Sequence, residues 1–213
     1  MADFAKAEAK TGVNEGGYGD HAADAGGETY RGIASAFHPT WVGWPAVRRA
    51  VEVVRGEEQP GPLARALWPE VARRLSGDST LRQQVADFYR AEYWDRLGLT
   101  QFPSQLLAEV LYDGAVNCGL SRPALWLQQA LNALNEAGKL YPDLLEDGAV
   151  GPKTLALAVD FQRKWPDRVG ILTAAVLVLR GGFHLQRMRE KPDQEVFARS
   201  WLGRVARQMG ELA

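Results

Sequence analysis

Cysteine is almost missing from this chain: Cys118 is the single one among 213 residues. One thiol excludes an intrachain disulfide and any metal site built on cysteines, so folding does not depend on an oxidising compartment. Charge of one sign is missing as well, since 25 basic and 26 acidic side chains leave a net charge of -1. Without a basic stripe or an overall field, nucleic acid is not an expected partner, and adsorption to anionic polymers by charge alone is not expected either. Long apolar runs are absent; Val169 to Leu179, the nearest candidate, is short and reads as a buried helix, so no membrane insertion is expected. Histidine is scarce and scattered at positions 21, 38 and 184, and Asp20, His21 and Asp24 lack the alternation of a calcium loop, so no metal or other cofactor is expected. Neither a Gly-x-Ser-x-Gly elbow, a P-loop nor a dinucleotide fingerprint occurs.

Period-2 alternation is also lacking, and almost every patterned segment has helical spacing. Leu81, Val85, Phe88 and Tyr89 fall on one helix face that continues toward Trp94. Pro103 and Ser104 open a helix in which Leu106, Val110, Asp113 and Asn117 share a face. Ser121 is a good N-cap with Pro123 in the first turn, followed by a stripe of Leu127, Leu131 and Leu134. Gly151-Pro152 starts another helix, and the last begins near Glu195 with Val196, Trp201, Val205 and Met209 inward. Residues 55–62, rich in proline and glycine, form the clearest loop.

The glycine-rich stretch from Gly16 to Ile33 has room for a short hairpin, and it holds the chemistry. Glu15 precedes Gly16-Gly17-Tyr18, where positive φ at the glycines would stop a helix and leave the glutamate beside a loop. Asp24, Gly26, Gly27, Glu28 and Thr29 follow. An acid at a helix end, then a second acid and a hydroxyl in a turn-rich segment, suits cleavage of a glycosidic bond, which needs a proton donor on one side and a nucleophile on the other.

Asn14 to Ile33 resembles the N-terminal signature of glycoside hydrolase family 108, the peptidoglycan N-acetylmuramidases of phages and bacteria. The resemblance makes Glu15 of Glu-Gly-Gly-Tyr the catalytic acid. The family's Asp-x-Gly-Gly-x-Thr-x-x-Gly-Ile element matches Asp24, Gly26, Gly27, Thr29, Gly32 and Ile33, and the order Glu, Asp, Thr is similar to phage-type lysozymes, in which the Asp and Thr hold the attacking water. This chain has His21-Ala22-Ala23 where a proline-containing segment is the family's pattern. Farther on, Asp113 to Gly119, Trp126 to Gln128 and Asp147 to Thr154 are similar to the predicted peptidoglycan-binding region of the same family. A turn followed by a proline-started helix accounts for the last of these equally well.

The expectation is therefore a mainly α, lysozyme-like helical fold with a minimal β-hairpin near the active site. A catalytic region over 1–100 is followed by a helical peptidoglycan-binding region over 101–213, with 38–78 as a lineage-specific insertion shaping the groove. Asp24 is either a water-orienting carboxylate or a turn residue, and Thr29 either holds water or satisfies a backbone group. Tyr18 and Tyr30 either stack on sugars or join the core. Asp113 and Asn117 either line a wet groove or are satisfied inside. The expected activity is hydrolysis of the β-1,4 bond between N-acetylmuramic acid and N-acetylglucosamine by an endolysin or an antibacterial effector. Bacterial peptidoglycan is the partner, and an effector would also meet an immunity protein. Met1 to Lys6 does not resemble a signal peptide, so synthesis in the cytoplasm and export through a holin or secretion machine is expected. Two other readings stand beside it: a non-catalytic wall-binding protein, and an amidase or endopeptidase with Cys118 as nucleophile.

Overall fold

The computed structural model describes residues 1–12, 17–20, 26–56 and 61–212. The chain divides into two compact units, Glu8–Arg90 and the pair of segments Met1–Ala7 and Ala91–Ala213. Among the described residues helix dominates, and strand is confined to one small sheet, as the missing alternation predicts. The first helix, α1 (Phe4–Thr11), contains the division between the units.

In the Glu8–Arg90 unit, β1 (Tyr18–Asp20), β2 (Glu28–Tyr30) and β3 (Ile33–Ala34) form an antiparallel meander. Tyr18 pairs with Tyr30, Gly19 with Thr29, and Thr29 in turn with Ala34. The β2–β3 link is two residues, Arg31 and Gly32, with φ of 46° and 79°. Two positive values are what a tight turn needs to follow the strand twist, and glycine is free to supply one of them. Arg31 is held there from two sides: the Tyr89 hydroxyl donates to its carbonyl at 2.7 Å, and its own guanidinium donates to the Gly12 carbonyl at 3.3 Å.

Three helices complete this unit. α2 (Trp44–Arg55) has Pro45 in its first turn and buries Trp44, Val47 and Val51, a +3, +4 stripe. α3 (Trp68–Leu75) likewise starts on a proline and buries Val71 and Leu75. α4 (Ser79–Tyr89) is capped by the Asp78 carboxylate, which accepts from the Leu81 amide at 2.9 Å, and buries Leu81, Val85 and Tyr89. The 38–78 stretch is thus largely helical and supplies core side chains.

The other unit opens with a π-turn over Arg90–Trp94 that leaves Trp94 fully buried. Phe4 meets Trp94 and Tyr112 edge-on, with ring centroids 5.6 and 5.7 Å apart. α5 (Gln105–Cys118) starts at Ser104, whose hydroxyl accepts from the Leu107 amide at 3.2 Å, and is buried continuously from Leu107 to Ala115. It packs on α6 (Ser121–Ala133) and α8 (Val169–Glu190); α7 (Pro152–Lys164) joins α6, and α9 (Ala198–Gly210) joins α8.

Two sequence expectations are corrected. Ser121 is the first helical residue of α6 and caps nothing with its side chain, the cap position being Leu120. Val196 is 78% exposed, because a 3-10 segment, Pro192–Phe197, precedes α9 and breaks the projected periodicity. The segment Pro166–Glu190 is long and apolar enough to cross a membrane by length and composition, with mean hydropathy 1.4 and a third of it buried. Its Thr173, Arg180 and His184 are buried inside the unit, and Arg180 is ion-paired to α5. Those contacts make it a core helix here.

Candidate functional site

Glu15 and Asp24 lie outside the described residues. α1 ends at Thr11, and the chain is next described at Gly17. A Cβ there would stand 2.9 Å from the Ala72 Cβ of α3, so the second glycine of Glu-Gly-Gly-Tyr is required by a backbone-to-helix approach. Gly27 uses positive φ, at 64°, in the turn leading into β2. Gly17 and Gly27 are therefore explained by geometry, as is Gly32 in the β2–β3 turn.

Alternation in the strands sorts the remaining signature residues. Tyr18, Asp20, Glu28 and Tyr30 share one face of the sheet, while Gly19, Thr29 and Ala34 share the other. Thr29 is half-buried, and its hydroxyl donates to the Gly27 carbonyl at 3.2 Å. That leaves the oxygen lone pairs free to accept from a water. Tyr18 and Tyr30 are 7% and 4% exposed. Tyr30 stacks on Trp41 at 6.3 Å, and Tyr18 meets Trp68 edge-on at 6.5 Å. Burial, with the Glu28 carboxylate next, pushes the Tyr18 phenol well above its ordinary range. Both tyrosines are thus largely buried on the sheet face opposite Thr29, where Tyr18 also lines an open recess.

On the tyrosine face lies an open recess of about 380 Å³ lined by Asp20, Glu28, Arg48, Glu52 and Arg55 among others. Sequence reasoning passed over Glu28 and Asp20, although their i, i+2 relation to the tyrosines could have found them. Glu28 accepts from the Tyr18 hydroxyl at 3.3 Å and pairs with Arg48 at 3.2 Å. Asp20 accepts from the Leu63 amide at 2.8 Å. Both carboxylates are engaged by donors, and these bonds hold the sheet to α2 and to Leu63 beyond it.

In the second unit, Asp113 and Asn117 are brought together inside the protein. The Asp113 carboxylate lies 2.7 Å from Arg180 Nη1 and 3.1 Å from Arg204 Nη1, and the three side chains are 6%, 0% and 10% exposed. Asn117 Oδ1 accepts from Arg180 Nη2 at 3.4 Å and from the Cys118 thiol at 3.3 Å. Of the alternatives left open by the sequence, Asp113 takes the internal one, whereas half-buried Asn117 both bonds Arg180 and lines a recess. Cys118 and His184 line the same recess of about 250 Å³, yet they do not form a nucleophile–base pair. The thiol is spent on Asn117, both His184 nitrogens lack a hydrogen-bond partner among the described residues, and burial pushes the thiol pKa up and the imidazole pKa down to about 4. A Cys–His dyad needs the opposite shifts.

The Asp-Gly-x-x-Gly-Pro stretch is a clamped loop. Buried Gln128 donates to the Asp147 carboxylate at 2.8 Å and to the Ala149 carbonyl at 2.9 Å, and accepts from the Gly148 amide at 2.9 Å. Gln128 holds the Asp147 carboxyl below its ordinary range.

Comparison with known proteins fits this division of labour. The family model for Glycosyl hydrolase 108 matches residues 9–119, just over half of the chain, and that for Predicted Peptidoglycan domain matches 122–206. The solved structure of Brucella abortus SagA is similar, with a TM-score of 0.53, 25% identity, and 98% of this chain and 92% of that one covered. No curated protein matches the chain. With Gly17 and Gly27 of the signature explained by α3 and the sheet, and the second region built of helices around a clamped loop, the chain belongs to the glycosyl hydrolase 108 family, as a glycoside hydrolase acting on peptidoglycan.

Proposed function

We propose that the protein is an N-acetylmuramidase that cleaves the β-1,4 bond between N-acetylmuramic acid and N-acetylglucosamine. The observation that carries this reading is the joined signature from Glu15 to Thr29, in which Gly17 and Gly27 each meet a geometric need. Glu15 donates the proton to the leaving oxygen. Asp24 and the Thr29 hydroxyl orient the attacking water: Thr29 accepts a hydrogen bond from it while donating its own to the Gly27 carbonyl, and the Asp24 carboxylate takes the proton that the water loses. Water held this way attacks in a single displacement and inverts the anomeric carbon. The biological setting that fits is lysis by a phage endolysin, or attack by an effector delivered to the wall through a holin or secretion machine. An effector's producing cell would carry an immunity protein that plugs the cleft near Glu15, and pull-down with wild-type protein and a cleft-blocked variant tests for it.

The deciding experiment compares wild type with Glu15→Gln on purified peptidoglycan, reading released reducing ends, with circular dichroism as the check on folding. Release by wild type and its loss in the folded variant is the expected outcome. No release by wild type refutes the muramidase reading, and equal release by both refutes Glu15 as the acid. Thr29→Val is expected to lower turnover by about tenfold or more, with Thr29→Ser close to wild type.

A further inference from the structure

The recess lined by Asn117, His184, Arg187, Gln194 and Trp201 carries chemistry that hydrolysis by Glu15 does not use. His184 is 1% exposed, and neither of its ring nitrogens has a hydrogen-bond partner among the described residues. A buried polar atom left unpaired is costly, so two on one ring mark a place where a partner belongs. The ring does not drift: it stacks on Trp201 with centroids 5.0 Å apart and an interplanar angle of 25°. Kept neutral by burial and by Arg180, the imidazole offers one N–H donor and one acceptor.

Charge around the ring is unbalanced. Among the ion pairs of the described residues, Arg180 on the same helix and Arg204 on α9 share the Asp113 carboxylate on α5, two guanidiniums against one carboxylate. Arg187, one turn from His184 on α8, is exposed at the recess and has no ion pair among the described residues. The Asn117 and Gln194 amides add neutral polar groups to the lining. A ligand that satisfies this set has an acceptor and a donor for the imidazole and a negative charge for the arginines. A peptide amide next to a free carboxylate has all three.

We propose that this recess is a binding site for a carboxylate-bearing peptide, the class to which the stem peptides of peptidoglycan belong. The site would hold the wall by its peptide while the other unit works on the glycan. Naming the wall as the source of the peptide rests on the reading of the chain as a peptidoglycan hydrolase; the chemistry of the recess does not.

The test titrates the full-length protein with muramoyl dipeptide, with the same compound amidated at its carboxyl, and with sodium acetate. Calorimetry gives affinity, and the NMR signals of the three histidines report the site, since His184 is separable from His21 and His38 by mutation. The expected result is a shift of the His184 ring signals and binding of the free acid at least about tenfold tighter than of its amide or of acetate. Arg187→Glu, an exposed change that leaves the core intact by circular dichroism, is expected to weaken that binding by at least about tenfold. Equal binding of acid and amide, no shift at His184, or unchanged affinity in Arg187→Glu overturns the proposal. Reducing-end release from peptide-free glycan strands keeps the two readings apart. Wild type that cleaves such strands without binding the dipeptide retains the glycosidase and loses the recess, and the reverse result does the opposite.

Discussion

His184 ties the stability of its unit to pH. Its pKa falls from 6.5 to about 4 on folding, first through burial and then through Arg180, with Arg204 and Arg187 acting in the same direction and Asp113 opposing. Between those values the unfolded chain binds the proton and the folded one does not, so stability is full above 6.5 and is lost as pH falls toward 4. The loss is on the order of 3 kcal/mol. Urea unfolding at several pH values is expected to show that slope in wild type and a flatter one in His184→Phe, which keeps the stack on Trp201. Equal slopes would assign the pH dependence to other groups. Asp113 is the second sensitive residue: Asp113→Ala leaves two buried guanidiniums uncompensated and is expected to cost about 3–5 kcal/mol in the same assay. At this scale the sequence was half legible. The order Glu15, Asp24, Thr29 is a local motif that stands in the sequence itself, with Glu15 and Asp24 outside the described residues. The burial of Tyr18 and Tyr30, and the pairing of Asp113 with residues 67 and 91 positions away, could not, because strand facing and long-range contacts are decided by packing.

Elements were more legible where the signal is a cap or a proline. Ser104, Gly151-Pro152 and the Leu81–Val85–Tyr89 stripe all do what their spacing predicts, since each acts within one turn. The π-turn at Arg90–Trp94 and the 3-10 segment before α9 were invisible to a projection that assumes one helical period throughout. The second glycine of Glu-Gly-Gly-Tyr gives a sharp test at this level. Gly17→Ala places a methyl 2.9 Å from Ala72 Cβ, between two groups that cannot rotate away. It is expected to destabilise by about 1–3 kcal/mol and to impair activity, and Ala72→Gly in the same chain is expected to restore much of the loss by removing the opposing methyl. Thermal unfolding of the two single variants and the double variant measures the coupling. Additive effects would show that the approach of β1 to α3 is not what Gly17 serves.

On the scale of the whole molecule, the boundary drawn by the two family models and the boundary drawn by packing differ. The models meet between 119 and 122, after α5, whereas compactness divides the chain at Arg90 and assigns α5, together with residues 1–7, to the C-terminal unit. Sequence alone could show that two regions exist, but not which one owns α5, because ownership follows from faces that meet only after folding. A fragment 120–213 is therefore expected to lack a cooperative thermal transition, and a fragment 91–213 to show one at a lower temperature than the full chain, since it lacks the Phe4 contact with Trp94 and Tyr112. Cooperative unfolding of 120–213 would refute this assignment of α5. There is a consequence for descent. A crossover at residue 120 would hand a recipient Arg180 and Arg204 without Asp113, two charges that once closed around a third left behind. The stretch before that seam and the stretch after it can be passed on together, or exchanged at some earlier point, but they do not travel apart.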